Sequence, residues 1–382
     1  MLAMGALIIR VTLPVYPHRK TRAEVITMQW VKKKTEIPVP NILGFDDNNK
    51  NGIGFEWILM EYMPGTTARK RWRTMSMSQK AALVKRLARF QYQLSGLKEG
   101  RPAFESIGTL EAPSGPLETN DEKVSFIAPG TLVSYEFFAF DHLEYDIPRG
   151  PFSSSHDWLD AVLRCILRHQ TSILECSKDE DDVEDAEEVL AAAQSLRALL
   201  SVVFPSDIDG SETSVLLHHD LNLNNILVNN HGEITAVLDW ECVSAMPLWM
   251  MSRVPEFLEC EPREHEPLRD DYAAETSEET ATTNHNDAHY LDNEGKNELY
   301  WIHKMEYEAT QLRKVYTGAL KELCPERAEA KALQIDFYEA VGQCDGLWTK
   351  MVRRWVESIE KGKTIRFRDV WNNDPDSVGT MS

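Results

Sequence analysis

The chain has 382 residues, 42% of them hydrophobic, which is enough for a large core shared between two lobes. Its formal net charge of -20 sets the surface against nucleic acid phosphates and anionic lipid, and draws cationic ligands. The six cysteines, at 165, 176, 242, 260, 324 and 344, form no C-x-x-C pair and match no zinc spacing. They read as reduced thiols of an intracellular, cytoplasmic protein.

The opening "MLAMGALIIRV" is apolar but short and lacks a basic leader, so it reads as neither signal peptide nor membrane span. Within it, "GALIIRVTLP" is a β-branched run ended by Pro14 and predicts a strand. "KTRAEVITMQWVKKKT" has helical spacing and a basic last turn that suits the helix dipole. "IPVPNILGFDD" is extended, because Pro38 and Pro40 disfavour helix before them. "GFEWILMEYMPG" predicts a second strand, closed by Pro64-Gly65.

From Ser76 or Ser78 the pattern turns helical, with Leu83, Leu87, Phe90 and Leu94 on one stripe. Residues 98–150 are rich in Pro, Gly and aromatics, and "TLVSYEFFAF" within them is strand-like. Helices are expected near 155–176 and 183–203, with "KDEDDVEDAEE" as a solvated acidic helix start. Three short strands follow, "SVLLHH", "NILVN" and "ITAVLDW", the last two joined by the turn "NNHG". Residues 259–298 are acidic and poor in apolar groups, and read as a mobile insertion. Two long amphipathic helices are expected at 299–322 and 326–361.

The chemistry concentrates in "HHDLNLNNILV". Asp220 and Asn225 stand in the pattern D-x-x-x-x-N, and Asp239 ends the next apolar strand in "AVLDWE". Phosphoryl transfer needs a carboxylate to accept or orient a hydroxyl proton, oxygen ligands for magnesium, and a rigid turn to hold them. The plain alternative is a polar turn whose Asp and Asn cap backbone groups. The second aspartate, at the end of the following strand, argues for the chemistry.

"LLHHDLNLNNILV" followed by "ITAVLDWE" resembles the aminoglycoside phosphotransferase family, related to choline kinases and more distantly to protein kinases. The family pattern is H-G-D-x-x-x-x-N and then I-D-W or I-D-F. The resemblance implies ATP and Mg²⁺, with Asp220 as catalytic base, Asn225 and Asp239 as magnesium ligands, and His218 as a structural brace. His219 stands where the family has glycine, and Asn222-Leu223-Asn224 replace His-Pro-Gly; Asn222 and Asn224 read as loop residues without direct chemistry. "WILMEYMPG" resembles the strand joining the two lobes, which implies that the Glu61 carbonyl and Met63 amide meet the nucleotide base, with Met60 behind it. Arg10 and Glu24 fit the family's strand cation on the phosphates and its helix glutamate.

The implied fold is α+β, a two-lobe protein-kinase-like arrangement. Residues 1–64 form an N-terminal lobe and residues 65–382 a mainly helical C-terminal lobe with the catalytic loop at 216–241. Nine residues precede Arg10, too few for the family's first β-hairpin, so the N-terminal lobe is expected to be truncated. The implied function is an ATP-dependent kinase acting on the hydroxyl of a small molecule. The alternative is a pseudokinase-like binding protein without turnover, which loss of the phosphate-covering hairpin would favour. A protein kinase is not expected, since no Asp-Phe-Gly or Ala-Pro-Glu bounds an activation loop. The acidic stretches "LECEPREHEPLRDD" and "ETSEE" offer carboxylates to a cationic acceptor, against the plainer reading of a solvated loop. "NHNDAHYLD" fits no metal spacing and reads as loop.

Overall fold

The computed structural model describes residues 6–100, 102–112, 127–205, 211–272, 298–325, 331–363 and 365–372. The stretches "ETSEE" and "NHNDAHYLD" lie outside the described residues.

The N-terminal part is a three-stranded antiparallel sheet with one helix. Strands β1 (Leu7–Thr12), β2 (Ile42–Asp46) and β3 (Glu56–Glu61) take the order β1-β3-β2. Along β3 the residues alternate, with Glu56, Ile58 and Met60 buried and Trp57, Leu59 and Glu61 less so, as the two-residue strand period requires. Helix α1 (Arg19–Lys34) buries Val25, Ile26, Met28 and Val31 in the same core as Ile58 and Met60. Register pairs Arg10 with Ile58, so Arg10 shares the face of the sheet that carries Ile58. This side chain therefore points at α1 and not away from it, which matters for the site below.

After Gly65 the chain runs directly into a second sheet. Strand β4 (Thr66–Thr67) pairs with β8 (Ile226–Val228), which pairs with β9 (Ile234–Val237). Gly65 sits at φ +141, and a Cβ there would lie 2.5 Å from Thr235 Oγ1 and 3.1 Å from the Val228 carbonyl, so only glycine lets the strand leave the first lobe this close to the loop hairpin. The β8–β9 turn is the expected one, with Asn229 Oδ1 accepting from the amides of His231 and Glu233.

The rest is mainly helical. Helix α2 (Met77–Leu94) starts at a reciprocal Ser76–Gln79 capping box and buries the expected stripe of Leu83, Leu87, Phe90 and Leu94. Helices α3 (Ser155–Cys176) and α4 (Glu180–Val203) form an antiparallel pair, and Asp179 caps α4. A third sheet takes the order β6-β5-β10-β7, from β5 (Gly108–Glu111), β6 (Ala128–Pro129), β7 (Ser214–Leu217) and β10 (Ser244–Pro247). Helices α5 (Glu298–Leu323), α6 (Ala332–Gly342) and α7 (Thr349–Glu360) follow, and a last helical turn spans Asp369–Asn372.

Two expectations are corrected. "TLVSYEFFAF" is not a strand: Tyr135–Phe138 make one helical turn. Leu132 and Val133 are adjacent and both buried, as is Phe137. An alternating strand would turn one of the first two to solvent. The single helix expected over 326–361 is two, α6 and α7, broken around 343–348. Gly342 precedes the break and Gly346 lies within it, both poor helix formers, and Leu347 is 98% exposed.

The described part of the acidic segment, 259–272, lies against α5. Arg263 pairs with Glu306 at 2.9 Å, Lys314 with Glu264 at 2.6 Å, and Lys304 with Glu266. Arg313 donates to the carbonyls of Leu258 and Cys260 at 2.9 and 2.7 Å. Among the described residues, no helix is long and apolar enough to cross a membrane.

Candidate functional site

The loop between β7 and β8 is organised around Asp220. Asn225 Nδ2 donates to Asp220 Oδ2 at 2.8 Å and to its carbonyl at 2.9 Å. Asn222 Nδ2 donates to Asp220 Oδ1 at 2.5 Å, and Asn222 Oδ1 accepts from the Asn224 amide at 2.8 Å. Asn222 thus does more than fill the loop: it holds the carboxylate that the sequence singled out. Two amide donors hold the exposed carboxylate in one orientation and leave it open to the solvent side.

The second aspartate is tied to the first by the backbone. The Leu238 amide donates to the Asn225 carbonyl at 2.8 Å, which sets Asp239 beside Asn225. His218 Nε2 donates to the Leu238 carbonyl at 2.9 Å, and its ring stands edge-on to Trp240 with centroids 4.9 Å apart. His218 is buried, and burial pushes its pKa below the ordinary histidine value. A neutral ring donating one N–H is what this contact needs. His219 stands in the family's glycine position and is exposed by area, while crowding around its ring and the nearby Arg253 push its pKa down to about 4. Asp239 sits at φ +62, a left-handed conformation uncommon for a non-glycine residue, and such strain gathers at functional sites.

Arg10 joins the N-terminal lobe to this loop. Its Nη1 donates to Glu24 Oε1 at 2.7 Å, and its Nη2 to Asp239 Oδ1 at 2.9 Å and Glu241 Oε2 at 2.6 Å. Lys20 Nζ also meets Glu241 Oε2, at 2.6 Å. Glu24 is almost fully buried, and burial raises its pKa to about 7. The adjacent Glu241 and Asp239 push the same way, while Arg10 opposes them without cancelling the shift. Lys20 and Glu241 were not among the expected site residues. The signal was present, with Lys20 one helical turn before Glu24 and Glu241 two residues after Asp239, but only the folded chain brings the two together.

Three carboxylates, Glu24, Asp239 and Glu241, face two cations here. Arg10 takes Asp239 Oδ1 and leaves Oδ2. Asn225 turns its nitrogen to Asp220 and so presents its oxygen elsewhere. Glu24 Oε2 is buried without a hydrogen-bond partner. These are hard oxygen donors in an anionic setting, and they fit Mg²⁺. Among the described residues no three His, Cys, Asp or Glu side chains converge as a metal cage. A nucleotide-borne Mg²⁺ does not need one, since it takes one or two protein ligands and completes its shell with phosphates and water.

Glu61 ends β3, three residues beyond the Ile58 that pairs with Arg10, and Met63 follows it. Glu61 Oε2 accepts from Asn41 Nδ2 at 2.7 Å. Met63 makes no backbone hydrogen bond through its amide among the described residues. Met60 is buried on the sheet face shared with Arg10.

A cavity of about 440 Å³ opens beside the loop. Asn222, Arg69, Phe257, Glu256, Met305 and Glu306 are among its walls. Because Asn222 also holds Asp220, the cavity is adjacent to the candidate base.

The family model for the phosphotransferase enzyme family matches residues 3–250. The chain belongs to that family. A subtelomeric hrmA-associated cluster protein of Aspergillus fumigatus is 22% identical over 285 residues, covering 63% of this chain and 53% of that protein. The clavilactone A biosynthesis cluster protein Y of Ampulloclitocybe clavipes is 28% identical over 241 residues, with the same coverage of 63% and 53%. The chain thus spans about half the length of the curated relatives it matches. Among solved structures, the gentamicin–APH(2'')-IIa complex overlays with a TM-score of 0.43 at 15% identity, covering 97% of this chain and 86% of that chain. The ADP-bound aminoglycoside phosphotransferase APH(2'')-Ib gives 0.43 at 15%, covering 94% and 86%. The family assignment rests on the match over residues 3–250; the chain is a phosphotransferase-family protein of two-lobed α+β fold.

Proposed function

We propose that the protein is an ATP-dependent phosphotransferase that moves the γ-phosphoryl group onto the hydroxyl of a small molecule. The observation that carries this reading is one connected set of contacts: Asp220 to Asn225, Asn225 to Leu238 beside Asp239, and Asp239 to the Arg10–Glu24 pair.

In this reading Asp220 accepts or orients the acceptor hydroxyl proton, with Asn222 and Asn225 holding its carboxylate in place. Asp239 and the Asn225 oxygen hold Mg²⁺, which when bound neutralises charge on the nucleotide phosphates. Arg10 exchanges Asp239 for the phosphates while Glu24 keeps the guanidinium in position. The Glu61 carbonyl and Met63 amide take the donor and acceptor edge of the base. His218 braces the loop from behind. The cavity beside Asn222 receives the acceptor, and the Glu256 and Glu261 carboxylates in its wall favour a cationic one.

The test is calorimetry with ATP in the presence and absence of Mg²⁺, followed by phosphorylation of a panel of small alcohols. Magnesium-dependent binding and turnover that Asp220→Asn abolishes are the expected results. A folded wild-type chain that binds no nucleotide would sink the reading.

A further inference from the structure

The cavity beside the loop contains one cation that the fold does not use. Arg69 lines it and is half-buried, yet among the described residues its guanidinium takes part in no ion pair or hydrogen bond. This is unexpected in a wall that also carries Glu256, Glu259, Glu261 and Glu306. Two of those carboxylates already have cations of their own: Glu259 pairs with Arg253 at 3.5 Å and Glu306 with Arg263 at 2.9 Å. The backbones of Arg69 and of the acidic residues are held on different segments. The Arg69 amide donates to the Leu223 carbonyl at 3.0 Å, which anchors it on the loop, whereas Glu256 and Glu261 flank a segment held to α5 by Arg313. The Arg69 backbone thus belongs to the loop side of the cavity, and Glu256 and Glu261 belong to another segment, with Trp72 and Phe257 packed edge to face at 5.6 Å in the same wall.

A half-buried guanidinium without a partner is a preformed fork for a planar anion, above all a carboxylate. We propose that Arg69 binds a carboxylate of the acceptor, and that the acceptor is a zwitterionic alcohol whose ammonium faces Glu256 and Glu261. This rests on the phosphotransferase reading of the same site and narrows its substrate class. In the transfer, the acceptor oxygen forms a bond to the γ-phosphorus and the bond from that phosphorus to the β–γ bridging oxygen breaks. The hydroxyl proton passes to Asp220, and ADP leaves. Arg69 takes no part in these bond changes; it positions the acceptor so that its hydroxyl reaches Asp220.

The experiment compares three alcohols of matched reach with the full chain: homoserine, 3-amino-1-propanol, which lacks the carboxylate, and 4-hydroxybutyrate, which lacks the amine. Their KM values are measured as acceptors, and their Kd values by calorimetry without nucleotide. The wild type is expected to prefer homoserine over both by about tenfold or more, since each truncated ligand leaves one charged group of the cavity wall unpaired. Arg69→Met should raise the homoserine KM about 10- to 100-fold, leave the KM for ATP and for 3-amino-1-propanol unchanged, and be partly rescued by Arg69→Lys. Equal or better use of 3-amino-1-propanol by the wild type overturns the proposal, as does an Arg69→Met effect that falls equally on ATP. If no acceptor turns over, the calorimetric order of the three ligands still decides for or against Arg69. Loss of magnesium-dependent ATP binding, by contrast, would indict the phosphotransferase reading.

Discussion

Arg10 donates to Asp239 at 2.9 Å across a sequence separation of 229 residues. The contact places a guanidinium on the oxygen cluster where the proposed magnesium would add positive charge, and the two compete for the same carboxylate. Asp239→Ala is therefore expected to remove the magnesium dependence of nucleotide binding and to leave Arg10 paired with Glu24 and Glu241. Calorimetric titration with ATP, with and without Mg²⁺, checks this; a variant that still gains affinity from magnesium would move the metal site elsewhere.

Asp220 should carry the proton chemistry and little of the stability, because it is exposed and its partners are two loop amides. Asp220→Asn is expected to lower kcat by about 10²- to 10⁴-fold, the usual contribution of a general base, with Tm within a degree or two of the wild type. Asn222→Ala should lower kcat by a smaller factor, about tenfold, with KM for ATP unchanged, since it frees one carboxylate oxygen without removing it. Steady-state kinetics beside thermal melts separate these outcomes.

Two buried groups give opposite pH dependences. Glu24 has its folded pKa raised to about 7 by burial. The folded state then binds more protons than the unfolded state between the ordinary glutamate pKa and about 7, so stability falls as pH rises through that window, by on the order of 3 kcal/mol for a shift of this size. His218 has its folded pKa lowered by burial. Its contribution is present above the ordinary histidine value and is lost as pH falls through the folded one. Denaturant unfolding from pH 4.5 to 8 should show Glu24→Gln flattening the first dependence and His218→Gln the second. An unchanged profile in either variant would mean that its group does not titrate in this range.

Lys80 and Glu308 form a buried pair at 2.6 Å that ties α2 to α5, with Lys80 also lying 5.1 Å from the centre of the Trp72 ring. Burial lowers the lysine pKa, so the charge is held by its partner. Glu308→Gln alone should cost about 3–5 kcal/mol, since it leaves a buried ammonium without compensation, whereas Lys80→Met combined with Glu308→Leu should cost far less. Urea melts of the single and double variants test this; equal losses in both would place the stabilisation in packing and not in the pair.

Much of the architecture was legible from local pattern. The stripe of Leu83, Leu87, Phe90 and Leu94 and the turn before Glu233 carry their structure in side-chain periodicity and turn chemistry, which act over a few residues. The two failures share a cause. Residues 131–140 are rich in aromatic groups, but the burial of Leu132 and Phe137 in the same core cluster as Phe152 overrides their strand propensity. The break between α6 and α7 likewise answers to packing against α4 as well as to its glycines.

For the site the division is sharper. Asp220, Asn225 and Asp239 stand at a spacing that short-range chemistry can explain, so the sequence alone marked them. That Asn222 holds Asp220, that Glu241 gathers Arg10 and Lys20, and that Arg69 has no partner among the described residues in an acidic cavity could not be read from the chain. The first is a contact two residues apart that depends on the conformation the folded loop takes; the others depend on segments far apart in sequence, and a charged side chain acquires its partner, or lacks one, only when tertiary packing sets the distance and removes the water between them.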